Sequence, residues 1–257
     1  MQRARELIKS YLGMDGLIGV YVVGSATRPF RDCLSDYDFE LVVEDGTYAA
    51  LPNEERHRFV IDEGPPRRID HEFYFWPWSG FEGLLASKLD MFHFAYQHAV
   101  VLHDPTGRLQ AVIDRFAALS EGVRKTRTKV HYLEYRWGTG RAKKTLRRGA
   151  TLNGRLVVAE ALIALVKLLF LVNNSWVSTR HWTTHELELL GVPDDLLSAI
   201  ERTLADPKSE SLDRLMEDVH GYLEFKGETL HHEVEALDRW AVLTDEGKTA
   251  FQTWGAR

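Results

Sequence analysis

The sequence predicts an α+β protein: an amino-terminal mixed β-sheet with helices, followed by a carboxyl-terminal α-helical bundle. Three observations predict it. Short β-rich apolar runs bounded by turn residues fill the first hundred positions, whereas from Arg108 to Phe225 apolar residues recur at helical spacing with few breakers. The change of pattern falls at the turn His103-Asp104-Pro105-Thr106-Gly107, which sets two domains, 1–107 and 108–257.

Taken in order, MQRARELIKSYLG alternates charged and apolar residues as an amphipathic helix does. Leu17–Val23 (LIGVYVV) is a strand ended by Gly24-Ser25, and Tyr37–Val43 is a second, closed by Glu44-Asp45-Gly46. Arg58–Asp62 is a third. Pro65-Pro66 breaks the chain before Ile69–Trp76 (IDHEFYFW), a fourth strand stopped by Pro77. Phe81–Tyr96 reads as a helix, and Val100-Val101-Leu102 leads into the turn. Helices follow at about 108–120, 123–148, 153–174, 183–190, 193–205 and 209–225, and the charged extension 226–257 shows no pattern that places it. Leu156–Val172 is the most apolar segment, yet it is shorter than the roughly 20 residues a bilayer needs. It also carries Glu160 and Lys167, so a buried bundle helix is expected and no membrane partner.

Composition excludes several classes. With 44% hydrophobic and 27% charged residues the chain is neither disordered nor collagen-like. One cysteine, Cys33, allows no internal disulfide, and the amino terminus lacks the apolar stretch of a signal peptide; a cytoplasmic location is expected. The formal charge of −6 conceals segregation: residues 1–110 hold 11 basic and 17 acidic residues, 111–180 hold 14 and 4, and 181–257 hold 7 and 17. Eleven basic residues in 124–155 meet only Glu134, which reads as an anion site, for a nucleoside triphosphate or a nucleic acid, within an acidic frame.

The chemistry is concentrated in Gly24-Ser25, a ten-residue spacer, and Asp36-Tyr37-Asp38-Phe39. Side chains alternate along a strand, so Asp36 and Asp38 share a face. Two adjacent carboxylates repel unless a cation lies between them, and Mg²⁺, a hard ion that takes oxygen ligands, suits the place. Gly24 lets backbone approach a phosphate and Ser25 can donate to it. On Ile69–Trp76, Asp70 and Glu72 share a face by the same alternation, and periodicity does not choose between them. Glu40 is in phase with Asp36 and Asp38 but reads as an ordinary strand residue past the site.

The order strand, Gly24-Ser25, spacer, Ser35-Asp36-x-Asp38, strand resembles the signature of the DNA polymerase β-type nucleotidyltransferase superfamily. The chain is most similar within it to small bacterial enzymes that adenylylate aminoglycosides and lincosamides. The resemblance implies a two-metal Mg²⁺ site on Asp36, Asp38 and a third carboxylate, for which Asp70 fits better and Glu72 stays open as a metal ligand. It implies that Gly24, Ser25 and Ser35 hold the triphosphate of ATP or another nucleoside triphosphate. It further implies a helical domain that closes over the nucleotide, in which Glu160 and Lys167 read either as general base and phosphate ligand or as the wet edge of a buried helix. The expected reaction moves a nucleoside monophosphate to a hydroxyl of a small molecule, such as an aminoglycoside-like antibiotic, and releases pyrophosphate. A protein or RNA acceptor and a non-catalytic antitoxin-like module are the rivals; nucleic acid ranks low for want of an RNA-binding module, and a dimer is compatible. His231-His232 lacks the one-turn spacing of zinc helices, so no zinc is expected there. Cys33 has no neighbouring motif to activate it.

Overall fold

The computed structural model describes residues 1–255. Its strands are β1 (Leu17–Val23), β2 (Tyr37–Val43), β3 (His57–Asp62), β4 (Arg68–Pro77) and β5 (Val100–His103). Its helices are α1 (Gln2–Leu7), α2 (Asp45–Ala50), α3 (Trp78–Gly83), α4 (Asp90–Gln97), α5 (Arg108–Ala117), α6 (Glu121–Arg147), α7 (Thr151–Val172), α8 (Thr183–Leu189), α9 (Asp194–Ala205), α10 (Ser209–Phe225), α11 (Val234–Leu243) and α12 (Asp245–Trp254). The architecture is α+β, a five-stranded mixed sheet with helices followed by a largely helical region. The expected first four strands and the helix of 209–225 are present; Val100–His103 is a fifth strand, and 226–257 contributes α11 and α12. The expected single helix 81–96 is two, α3 and α4, parted by a 3-10 turn and by Ser87, whose carbonyl is held by His93 Nε2 at 2.8 Å.

The chain divides into compact units at Ala118/Leu119 rather than at 107/108. The reason is that α5 is amphipathic: Leu109, Val112, Ile113 and Phe116 are buried in one cluster with Tyr21, Val23 and Val42 of the sheet. A turn that looks like a linker is therefore an internal turn of the first unit.

The sheet runs β3-β4-β2-β1-β5, with β2 and β4 parallel and the other pairs antiparallel. Alternation puts Val20, Val22, Tyr37, Phe39, Leu41, Val43, Phe73 and Phe75 on one face, where Ala4 of α1 and Ile8 just past it cover them. The opposite face carries Asp36, Asp38 and Glu40 from the centre of the sheet and Glu72, Tyr74 and Trp76 from its neighbour. On β2 the pattern is regular, buried at Tyr37, Phe39 and Leu41 and half-buried at Asp38 and Glu40. That regularity presents carboxylates where one would expect core.

In the second unit α6 and α7 form an antiparallel hairpin. Gly138 and Gly154 permit its close approach: a Cβ on Gly138 would lie 2.9 Å from that of Ala161, and one on Gly154 2.7 Å from Leu146 Cδ2. Among the described residues no helix is long and apolar enough to cross a membrane, α7 included.

Candidate active site

Three carboxylates come together at one end of the sheet face opposite α1. Asp38 pairs in register with Glu72 across the parallel β2–β4 ladder, close enough for each carboxylate to act on the other. Asp36 precedes β2 by one residue on the same face. Burial, the charges of Asp36 and Glu72, and the Glu72 carboxylate, to which a protonated Asp38 donates, push Asp38 up to about 8. Asp36 is also raised, first by burial and then by Glu72, against the lowering influence of Arg31 and Arg68. Like charges held this close in a half-buried place cannot all ionise without a counter-charge.

Gly24 closes the site from β1. Val23 faces Asp38 across the antiparallel β1–β2 ladder, so the chain turns directly above that carboxylate. Gly24 has φ +70°, and a Cβ there would stand 2.0 Å from Asp38 Oδ2. Any other residue would both strain the backbone and displace the carboxylate. Ser25 follows in a 3-10 turn and is buried beside it.

The carboxylate that lies beside Asp38 is Glu72. Asp70 and Glu72 would share a face on a regular strand, but the β3–β4 register slips between Val60↔His71 and Ile61↔Ile69, which leaves Asp70 as an extra, unpaired residue. Such a bulge re-aims a side chain. Asp70 accepts two hydrogen bonds of 2.7 Å from Arg3 of α1 and lies 2.8 Å from His71 Nδ1, which hold its carboxyl below the usual range against the effect of burial. Glu72 is steadied instead by His57 Nε2 at 3.0 Å, a diagonal neighbour from β3.

Ser35 is buried, but its hydroxyl serves the loop, donating to Asp32 Oδ1 at 2.9 Å and accepting from the Asp32 amide at 3.1 Å. That turn, with Arg68 Nη1 on the Ser35 carbonyl at 3.4 Å, delivers Asp36 to the start of β2. Glu160 and Lys167 belong to the second unit: Glu160 is exposed on α7, while Lys167 is half-buried and near enough to His131 to disfavour its protonation.

Glu40 is not an ordinary strand residue. It is half-buried and accepts hydrogen bonds from Trp76 Nε1 at 2.7 Å, from the Tyr96 hydroxyl at 3.2 Å and, more closely, from the Tyr21 hydroxyl. Burial nonetheless raises its pKa. Glu40 thus anchors the floor beside Asp38, and Trp76 so fixed packs with its ring tilted 52° against the exposed Tyr74, centroids 4.8 Å apart. Sequence reasoning missed His57, Arg31, Arg68 and the cage around Glu40. Of these only Glu40 left a signal, its phase with Asp38.

The basic run of 124–155 is answered within its own unit. Arg124 binds Glu228 at 2.8 Å, Arg136 binds Asp238 at 3.0 Å, and Lys143 pairs with Asp213. Arg127 is buried, with its guanidinium over the rings of Trp176 and Trp254. The acidic carboxyl-terminal segment therefore pairs with three of the eleven basic residues that the linear count assigns to an external anion.

Residues 88–183 match a domain of unknown function, DUF4037, a span that begins after the three carboxylates. No curated protein matches the chain. Among solved structures, a nucleotidyltransferase-like protein from Exiguobacterium sibiricum is similar at 14% identity and a TM-score of 0.45, over 97% of this chain and 77% of that one.

Proposed function

We propose that the first unit is a divalent-metal-dependent nucleotidyl transfer centre. The observation that carries it is the meeting of Asp36, Asp38 and Glu72 beneath Gly24. The donor set fits a hard divalent cation, since every donor is a carboxylate oxygen and the raised Asp36 and Asp38 mark negative charge that Arg31 and Arg68 offset only in part. Asp36, Asp38 and Glu72 would hold Mg²⁺, which when bound lowers the pKa of an attacking hydroxyl and offsets charge on a triphosphate.

The chain's own residues do the rest. Gly24 leaves the backbone above Asp38 open to a phosphate, with Ser25 next to it. His57 orients Glu72, and the Ser35–Asp32 turn orients Asp36. Tyr74, exposed on the carboxylate face and backed by Trp76, offers a ring on which a base or a cyclic acceptor can stack. In the transfer, an acceptor hydroxyl oxygen gives up its proton to water and bonds the α-phosphorus of a nucleoside triphosphate, ATP being the first to test, and the bond from that phosphorus to the bridging oxygen of the β-phosphate breaks to release pyrophosphate. The acceptor is a small hydroxyl compound; an aminoglycoside is one arm of the test.

The test incubates the full chain with ATP, Mg²⁺ and separate pools of aminoglycosides, lincosamides and proteins, and follows pyrophosphate. Acceptor-dependent release that falls on the order of a thousandfold in Asp38→Asn, with the melting transition retained, is expected. Release at the same rate in wild type and Asp38→Asn overturns the assignment.

A further inference from the structure

A second cluster of ligating groups stands in the other unit, on residues that the proposed transfer centre does not use. Helix α10 carries His220 and Glu224 one turn apart. Just past its end lies Gly227, whose φ of +77° reverses the chain, with the Gly227 amide on the Glu224 carbonyl at 2.9 Å and the Glu228 amide on the Leu223 carbonyl at 2.9 Å. The 3-10 turn Leu230–His232 then lays two imidazoles against the end of α10.

Both rings point at one oxygen. His231 Nε2 is 2.9 Å and His232 Nε2 3.3 Å from Glu224 Oε1, and one ligand atom of each of the three residues lies within 4.8 Å of the others. The His231 ring is buried and stacked on His220 at 4.7 Å and 19°, and His220 Nε2 meets the Tyr132 hydroxyl at 3.4 Å. His231 Nδ1 is buried without a hydrogen-bond partner. A single carboxylate oxygen shared by two imidazole nitrogens, one on a ring fixed from behind, is more than an ion pair needs.

We propose that Glu224, His231 and His232 bind a transition-metal dication of the Zn²⁺ type, with a fourth position open to water. Imidazole and carboxylate together suit Zn²⁺ and its neighbours rather than Mg²⁺. Bonds of about 2.0–2.2 Å in a tetrahedral site place donors roughly 3.3 Å apart. The two separations here, 2.9 and 3.3 Å, already approach that. The ion would replace the proton shared between Glu224 and His231 and pin the end of α10 to the segment that leads into α11, so that binding stabilises the second unit. The tandem pair is invisible as a zinc motif because its third ligand lies seven residues earlier on another element.

The experiment titrates the full chain with Co²⁺, and then Zn²⁺ in competition, with Mg²⁺ in large excess to occupy the carboxylates of the first unit. One equivalent of Co²⁺ with the visible absorption of four-coordinate nitrogen and oxygen ligation, displaced by Zn²⁺ and accompanied by a rise in Tm, is expected. Glu224→Gln and His232→Gln alter exposed side chains, so the fold survives them, and each should weaken binding at least about tenfold. Absence of Co²⁺ binding under Mg²⁺, or unchanged binding in both variants, overturns the proposal and leaves the transfer centre untouched.

Discussion

The carboxylates of the first unit and the basic helix α6 of the second are both concentrations of like charge, and the fold treats them in opposite ways. Along α6, Arg124, Arg136 and Lys143 find Glu228, Asp238 and Asp213, partners that lie 70 to 104 positions away in the chain. On the sheet face, Asp36, Asp38 and Glu72 find chiefly one another, and burial drives Asp38 up to about 8. Charge that a chain can answer with its own side chains becomes structure; charge it gathers and leaves unanswered is a demand for a ligand. The difference separates a scaffold from a candidate site without appeal to either residue composition or net charge.

The sharpest way to break this comparison is to remove the carboxylates one at a time. Glu72→Gln should reduce nucleotidyl transfer about a hundredfold or more and abolish stabilisation by Mg²⁺, because it deletes a metal donor. Asp70→Asn should leave both within about twofold and cost only about 0.2–1 kcal/mol in urea denaturation, as a surface ion pair with Arg3 is lost. If the two variants exchange these phenotypes, the bulge at Asp70 has been misread.

A second test uses pH. Folding raises Asp38 from 3.8 to about 8, so its neutral form is favoured in the native state. The stability this contributes is complete below about pH 4 and is lost as pH climbs through 8. In EDTA the first unit should therefore melt lower at pH 8 than at pH 5.5. Mg²⁺ at about a hundred times its Kd should add about 2.7 kcal/mol at pH 8, which is roughly 5–10 °C in Tm. Asp38→Asn should flatten the EDTA curve and remove the Mg²⁺ response. A wild-type Tm indifferent to both pH and Mg²⁺ would count against an unanswered charge.

Gly24→Ala is smaller in stability and informative in affinity. Its positive φ costs about 1–2 kcal/mol. Its Cβ would also push Asp38 Oδ2 from a position 2.0 Å away, so the midpoint for Mg²⁺ in calorimetry should weaken severalfold. The least effect is expected from Arg136→Ala on α6. The pair with Asp238 is about one-third exposed on both sides, so chemical denaturation should register no more than about 1 kcal/mol, reduced further by salt, with transfer unaffected. A large loss of transfer there would show that α6 serves the reaction as well as the scaffold.

Much of this molecule is local in origin. The β runs, the long helices and the phase of Asp36, Asp38 and Glu40 follow from periods of two and 3.6 and from turn residues such as Gly24 and Pro77, which act over a few positions. What failed was wherever a distant partner decides. Asp70 and Glu72 are indistinguishable by alternation, and the bulge that separates them arises only when β4 is laid against β3. Helix α5 looks like the start of a new domain until its apolar face meets Tyr21 and Val42. Glu40 is ordinary until Tyr21, Trp76 and Tyr96 enclose it, and His231-His232 is an unpromising tandem until the turn brings it to Glu224. The sequence by itself determined that an α+β chain presents two acidic side chains on one strand face beneath a glycine turn, because those are consequences of local backbone geometry. Tertiary structure alone decided that Glu72 joins them and that Arg124, Arg136 and Lys143 of the basic helix meet acidic partners of their own unit, because side chains far apart in the chain meet only through register and packing.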